Sequence, residues 1–146
     1  MKKYISILIV GLVAFLAFDT KAQVPADFRS VYSITSDTVT NTATVYLQSP
    51  LLSPALATST TIWVSVTKIS GTVGGTLTLQ GSFDGTNYKA VNTPDTQTAL
   101  ATITATDASN TYHWRLQGSP FLYYRVSWTG TGTMSASFRA QVMRAK

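Results

Sequence analysis

His113 is the chain's single histidine, and it stands between Tyr112 and Trp114 in a stretch that alternates as a strand. A Ser-His-Asp arrangement needs a serine held on a sharp, exposed elbow. No serine here lies in a Gly-x-Ser-x-Gly context. Glutamate is absent, so paired carboxylates for glycoside hydrolysis would have to come from aspartates. Asp84, Asp95 and Asp107 all fall in turn-like sequence, where Asp is expected to bond its own backbone. Asp84-Gly85-Thr86-Asn87 offers one carboxylate in four residues, whereas calcium asks for six to eight oxygens. Gly71, Gly74 and Gly75 link strand to strand, so no helix N-terminus follows them to hold a phosphate. Without cysteine there are neither thiolate ligands nor disulfides. The expectation is a protein that makes and breaks no bonds and needs no cofactor or metal.

Outward-facing side chains are more informative. If the alternation described below holds, Tyr46, Trp63, His113, Arg115, Tyr123, Arg125 and Arg139 point away from the core. Exposed aromatics beside arginine are typical of recognition surfaces, because they bury large area at small entropic cost. Three readings fit this set. Arginine stems can simply cover neighbouring rings on an ordinary outer face; the residues can form an interface between copies of the chain; or they can stack a glycan.

These residues must be positioned by strands. The stretch WVSVTKISGTVGGTLTLQGSFDGTNY, from Trp63 to Tyr88, organises the rest. Ile62, Val64 and Val66 alternate with Trp63, Ser65 and Thr67, and Leu77, Leu79 and Phe83 alternate with Thr76, Thr78, Gln80 and Ser82. The stretch reads as a hairpin across the Gly-rich turn, followed by a second tight turn at Asp84-Gly85. Upstream, Gln23–Ser30 is an extended lead-in, Val31–Ile34 a short strand, and Asp37–Gln48 a Thr-rich strand segment with Tyr46 opposite Val45 and Leu47. Leu51, Leu52 and Leu56, in a Pro-bearing loop, either plug an end of the core or form a contact patch. Downstream, Tyr88–Val91 and Thr98–Thr106 read as strands. Thr111–Leu116 places Tyr112, Trp114 and Leu116 inward; Phe121–Thr129 does so with Leu122, Tyr124, Val126 and Trp128. Gly130-Thr131-Gly132 reads as a further hairpin turn before Met134, Ala136, Phe138, Ala140 and Val142. Seven to nine short antiparallel strands at this spacing predict an all-β sandwich or small barrel, and facing sheets that pair every apolar side favour the sandwich, jelly-roll or immunoglobulin-like.

The 146 residues suit one domain, and only 12% of them are charged, leaving Thr and Ser to supply solubility. Lys2 and Lys3 precede an apolar run of 14 residues, Ile5 to Phe18, and Thr20-Lys21-Ala22 places small residues where a signal peptidase reads. The run falls short of the ~20 residues of a spanning helix. Residues 1–22 are expected to be a helical signal peptide, with an uncleaved membrane anchor as the rival, and residues 23–146 the exported sandwich domain. Cleavage after Ala22 would leave 8 basic and 5 acidic residues, a net charge of +3. That excess is too small and too scattered for nucleic acid.

Two segments, LQGSFDGTNYKAV (Leu79–Val91) and PFLYYRVSWTGTGTMSASFRAQV (Pro120–Val142), resemble a pair found in β-sandwich proteins of bacteriophages. DTVTNTATVYL (Asp37–Leu47) is similar to the opening of such proteins, and the leader with Gln23 at the mature start resembles those of Bacteroidetes bacteria or their phages. The resemblance implies an accessory virion role, such as capsid decoration, head fibre or spike, with virion or self subunits as partners in a homo-oligomer. The Ser82-x-Asp84-Gly85-x-Asn87-Tyr88 motif followed by Tyr124-Arg125-Val126 also resembles discoidin-like carbohydrate-binding domains, which implies a cell-surface glycan and an adhesin role.

Overall fold

Alternating β-branched and polar residues give strands, and the computed structural model describes residues 26–30, 36–52, 59–91, 102–117 and 121–145. In chain order the strands are β1 (Ala26–Asp27), β2 (Arg29–Ser30), β3 (Ser36–Thr40), β4 (Thr44–Gln48), β5 (Ser59–Gly71) and β6 (Gly75–Ser82). They continue with β7 (Lys89–Ala90), β8 (Thr102–Ala105), β9 (Asn110–Gln117), β10 (Tyr123–Gly130) and β11 (Met134–Ala145). Eight of them are four residues or longer, and no helix occurs among the described residues. All pairings are antiparallel and form two sheets. Sheet A runs β1-β11-β5-β9 with β3 also on β11; sheet B runs β2-β4-β10-β6-β7 with β8 also on β6. The proposed signal helix, the strand expected at Val31–Ile34 and the residues before Thr102 in the strand expected at Thr98–Thr106 lie outside the described residues.

The core lies between the sheets. Ile62, Val64 and Val66 of β5, Leu77 and Leu79 of β6, and Tyr124, Val126 and Trp128 of β10 are all buried, as their alternation requires. So are Met134, Ala136, Phe138, Ala140 and Val142 of β11. Trp128 meets Phe138 edge-on across the layers, with ring centroids 5.5 Å apart. The lead-in does more than extend: β1 pairs with β11 in sheet A and β2 with β4 in sheet B. Between them Phe28 is fully buried and its N–H donates to Ala140 O at 2.8 Å.

Two expected hairpins prove to be crossings between sheets. β5 is flanked by β11 and β9, and β6 by β10, β7 and β8, so both edges of each strand are occupied by other partners. Gly71 (φ +70°) and Gly75 (φ +118°) turn the chain out of sheet A, and Val73 at the apex is buried instead of solvated. Gly130-Thr131-Gly132 likewise carries β10 of sheet B into β11 of sheet A. Asp37–Gln48 is cut in two by Asn41 (φ +51°), which sends β3 and β4 to different sheets. The connection from β8 to β9 crosses too, and Asp107 within it ties this end together: Oδ1 accepts from the Val73 N–H and from Lys68 Nζ, each at 2.7 Å.

The expected alternation fails at the end of β6. Phe83 is 66% exposed and Ser82 is buried, because Ser82 Oγ is drawn inward as an acceptor for the Asp84 and Gly85 N–H groups. Leu51 is exposed while Leu52 is buried; Leu56 lies outside the described residues. Ile69 continues the outward row of Trp63 and is exposed, and the β5–β11 register slips beside it, with Ser70 opposite Ser135 and Lys68 opposite Ala136.

Candidate functional site: an arginine between tyrosines

The outward row of β10 is Tyr123, Arg125, Ser127 and Thr129, fixed by the burial of the alternate row. Arg125 lies opposite Gln48 of β4 on one side and Gln80 of β6 on the other. Its Nε–H donates to Gln80 Oε1 at 2.8 Å. The guanidinium carbon stands 4.6 Å from the Tyr46 ring centroid and 4.1 Å from that of Tyr88. Two rings and one hydrogen bond therefore hold a long, rotamer-rich side chain in place. The cluster spans β4, β10, β6 and the approach to β7, roughly 14 Å of sheet at ~4.8 Å per strand.

Tyr88 is carried by the loop after β6, and that loop is organised by one carboxylate. Asp84 Oδ1 accepts from Ser82 Oγ (2.8 Å), the Thr86 N–H (2.8 Å) and the Asn87 N–H (2.7 Å), and Oδ2 accepts from Asn87 Nδ2 (2.6 Å). These bonds, those from Asn87 foremost, hold the Asp84 carboxyl far below the ordinary carboxylate range. β6 and β7 pair across the loop as a hairpin, as expected at Asp84-Gly85, although only Gly85 of the two takes a positive φ (+73°). Tyr123 lies over that glycine, its ring atoms 3.2–3.4 Å from where a Cβ would stand. Burial pushes the Tyr88 phenol up to about 12 despite the opposing pull of Arg125. Its hydroxyl is buried without a partner among the described residues.

The seven residues singled out by alternation do not share a surface. Tyr46, Tyr123 and Arg125 belong to sheet B, whereas Trp63, His113, Arg115 and Arg139 lie on the outer side of sheet A. There Trp63 and His113 are direct cross-strand partners with ring centroids 5.3 Å apart and planes tilted by 31°. Arg115 stands opposite Thr61. Arg139 forms an ion pair with Asp27 at 2.6 Å, and Gln141 Nε2 donates to the other oxygen of that carboxylate. The charge of Arg139 is thus neutralised locally. Asp84 makes its bonds to its own loop, Asp107 to Lys68 and Val73, and no group of three metal-ligating side chains exists among the described residues.

Tyr88 and Gln80 were not among the expected site residues. Tyr88 ends the Ser-x-Asp-Gly-x-Asn-aromatic motif, which is the signal that marks it. Gln80 could be found only through the β6–β10 register.

No protein-family model matches the chain, and no characterised protein matches it by sequence. Solved structures do match in shape. The enzymatically active domain of a tailspike protein of bacteriophage CBA120 aligns at 8% identity with a TM-score of 0.50, over 75% of this chain and 15% of that one. An adhesin domain of Lys-gingipain from Porphyromonas gingivalis aligns at 15% identity, TM-score 0.44, over 76% and 72% of the two chains. A family 29 carbohydrate-binding module from Piromyces equi aligns at 10% identity, TM-score 0.39, over 85% and 79%. The chain thus spans about a seventh of the tailspike structure. At 8% identity the likeness to the tailspike domain is one of fold alone.

Proposed function

We propose that this protein is a non-enzymatic recognition module, exported from the cell and serving as an accessory virion protein such as a capsid decoration, head fibre or spike. Host attachment by a homo-oligomer is the role that suits it. The observation that carries the reading is Arg125 fixed between Tyr46 and Tyr88 on an outward sheet face. Displayed rings around a pre-set guanidinium recognise a surface; they do not transfer protons. General acid–base work at neutral pH needs a group that titrates there. Asp84 is held ionised far below that range and Tyr88 neutral far above it. The phage setting is supported by the resemblance of Leu79–Val91 and Pro120–Val142 to phage sandwich proteins, and the fold shared with a tailspike domain agrees with it. Quantitative mass spectrometry of purified virions tests the proposal. Recovery of the chain at a fixed copy number per particle is expected, and its absence from particles would end the virion reading.

The same cluster favours a second reading, a secreted bacterial adhesin or carbohydrate-binding sandwich, because sugar rings stack on tyrosines. Absence from virions together with retention on bacterial polysaccharide would select it.

A further inference from the structure

We infer that the Arg125 cluster takes a carboxylate-bearing saccharide, that is, a uronic or sialic acid unit within a surface glycan. This deepens the recognition role proposed above and rests on it. Three features of the cluster lead there. First, the charge of Arg125 has no acidic partner among the described residues. Among the described residues the ion pairs join Lys68 to Asp107 and Arg139 to Asp27, and the Asp84 carboxylate is bonded by Ser82, Thr86 and Asn87.

Second, the guanidinium is oriented before any ligand arrives. Nε is spent on Gln80 and the guanidinium carbon lies over two rings, which leaves the terminal N–H groups for a ligand. They form the fork that matches a carboxylate with two parallel hydrogen bonds. Holding it in place beforehand removes part of the ordering cost of binding. Third, the cluster is half-buried and aromatic, so a ring-shaped ligand body can lie beside Tyr46, which is 37% exposed. A carboxylate without such a body would bind the fork alone and gain nothing from the tyrosine. A neutral sugar would gain the tyrosine and leave the cation unmatched.

The test is a glycan array probed with the purified protein, printed with matched pairs: trigalacturonate and its methyl ester, sialyllactose and lactose, oligomannuronate and its methyl ester. Titration calorimetry follows on the best acidic member. Binding to at least one acidic member is expected, weakened tenfold or more in its neutral counterpart. Arg125→Lys keeps the charge but loses the fork and the bond to Gln80; it is expected to cost tenfold or more in affinity while the protein stays folded. Arg115→Lys, on the opposite sheet, is expected to leave binding unchanged. Equal binding of acid and neutral partners, an unaffected Arg125→Lys variant, or an array with no acidic member bound would each overturn the inference. Recovery of the chain in purified virions under any of those outcomes would leave the proposed role standing, so the two can fail separately.

Discussion

Arg125 illustrates how its surroundings can hold a single side chain in place. On a flexible stem a guanidinium spends conformational entropy to meet any partner. Here Tyr46, Tyr88 and Gln80 have fixed it within the fold. The support extends through Tyr88 to Asp84, whose carboxylate gathers the loop. Because the folded Asp84 carboxyl lies below its ordinary 3.8, its stabilisation is present above that value and is lost as pH falls through the lowered one. Replacing Asp84 by Asn should therefore lower the melting temperature by a constant amount between about pH 5 and 8. The gap between wild type and variant should close only in strong acid, as melting curves over a pH series would show. A gap that varies across neutral pH would contradict the assignment. Gly85 sets a steric condition as well: Gly85→Ala adds a Cβ at φ +73° against the Tyr123 ring. A cost of about 1–3 kcal/mol in denaturant unfolding is expected.

Among the elements, period-two alternation was legible in the sequence, whereas strand partnership was legible only at the Asp84-Gly85 turn between β6 and β7. Ile62, Val64 and Val66 announce which face of β5 is buried, and β11 likewise announces Met134 through Val142. Alternation carries no information on which strand lies alongside, so Gly71–Gly75 and Gly130–Gly132 were read as hairpin turns when they carry the chain from one sheet to the other. What decides between the two is the competition for strand edges: β11 pairs with β5 along twelve positions and leaves β6 no place beside it. The crossing depends on glycine at defined points. At Gly75 a Cβ would overlap Thr129 O, and Gly75→Ala should cost about 1–3 kcal/mol in denaturant unfolding. At Gly130 a Cβ would overlap Asn41 O, and Gly130→Ala should cost a similar amount. Either variant unfolding like wild type would show that the crossing tolerates a side chain. Asp107→Ala should loosen the same end, seen as faster amide exchange at Val73, whose N–H the carboxylate holds.

At the scale of the molecule, the sandwich separates two outer surfaces with different chemistry. Trp63 and His113 lie on one and the Arg125 cluster on the other. The sequence supplied the list of outward residues, since that follows from alternation alone. It could not sort them into two faces, because the sorting depends on the sheet to which each strand belongs. Trp128, buried between the layers against Phe138, ties both surfaces to one core. Trp128→Ala should cost about 3–5 kcal/mol in denaturant unfolding, a loss that the surface variants Trp63→Ala and Arg125→Lys should not approach. Whether the sheet B face is the working surface is read from binding of the labelled protein to cells of the bacterium that carries the gene, or that hosts the phage carrying it. Arg125→Lys combined with Tyr46→Ala should abolish cell binding, while Trp63→Ala should retain it. Retention by the first and loss by the second would place the working surface on sheet A and contradict the account.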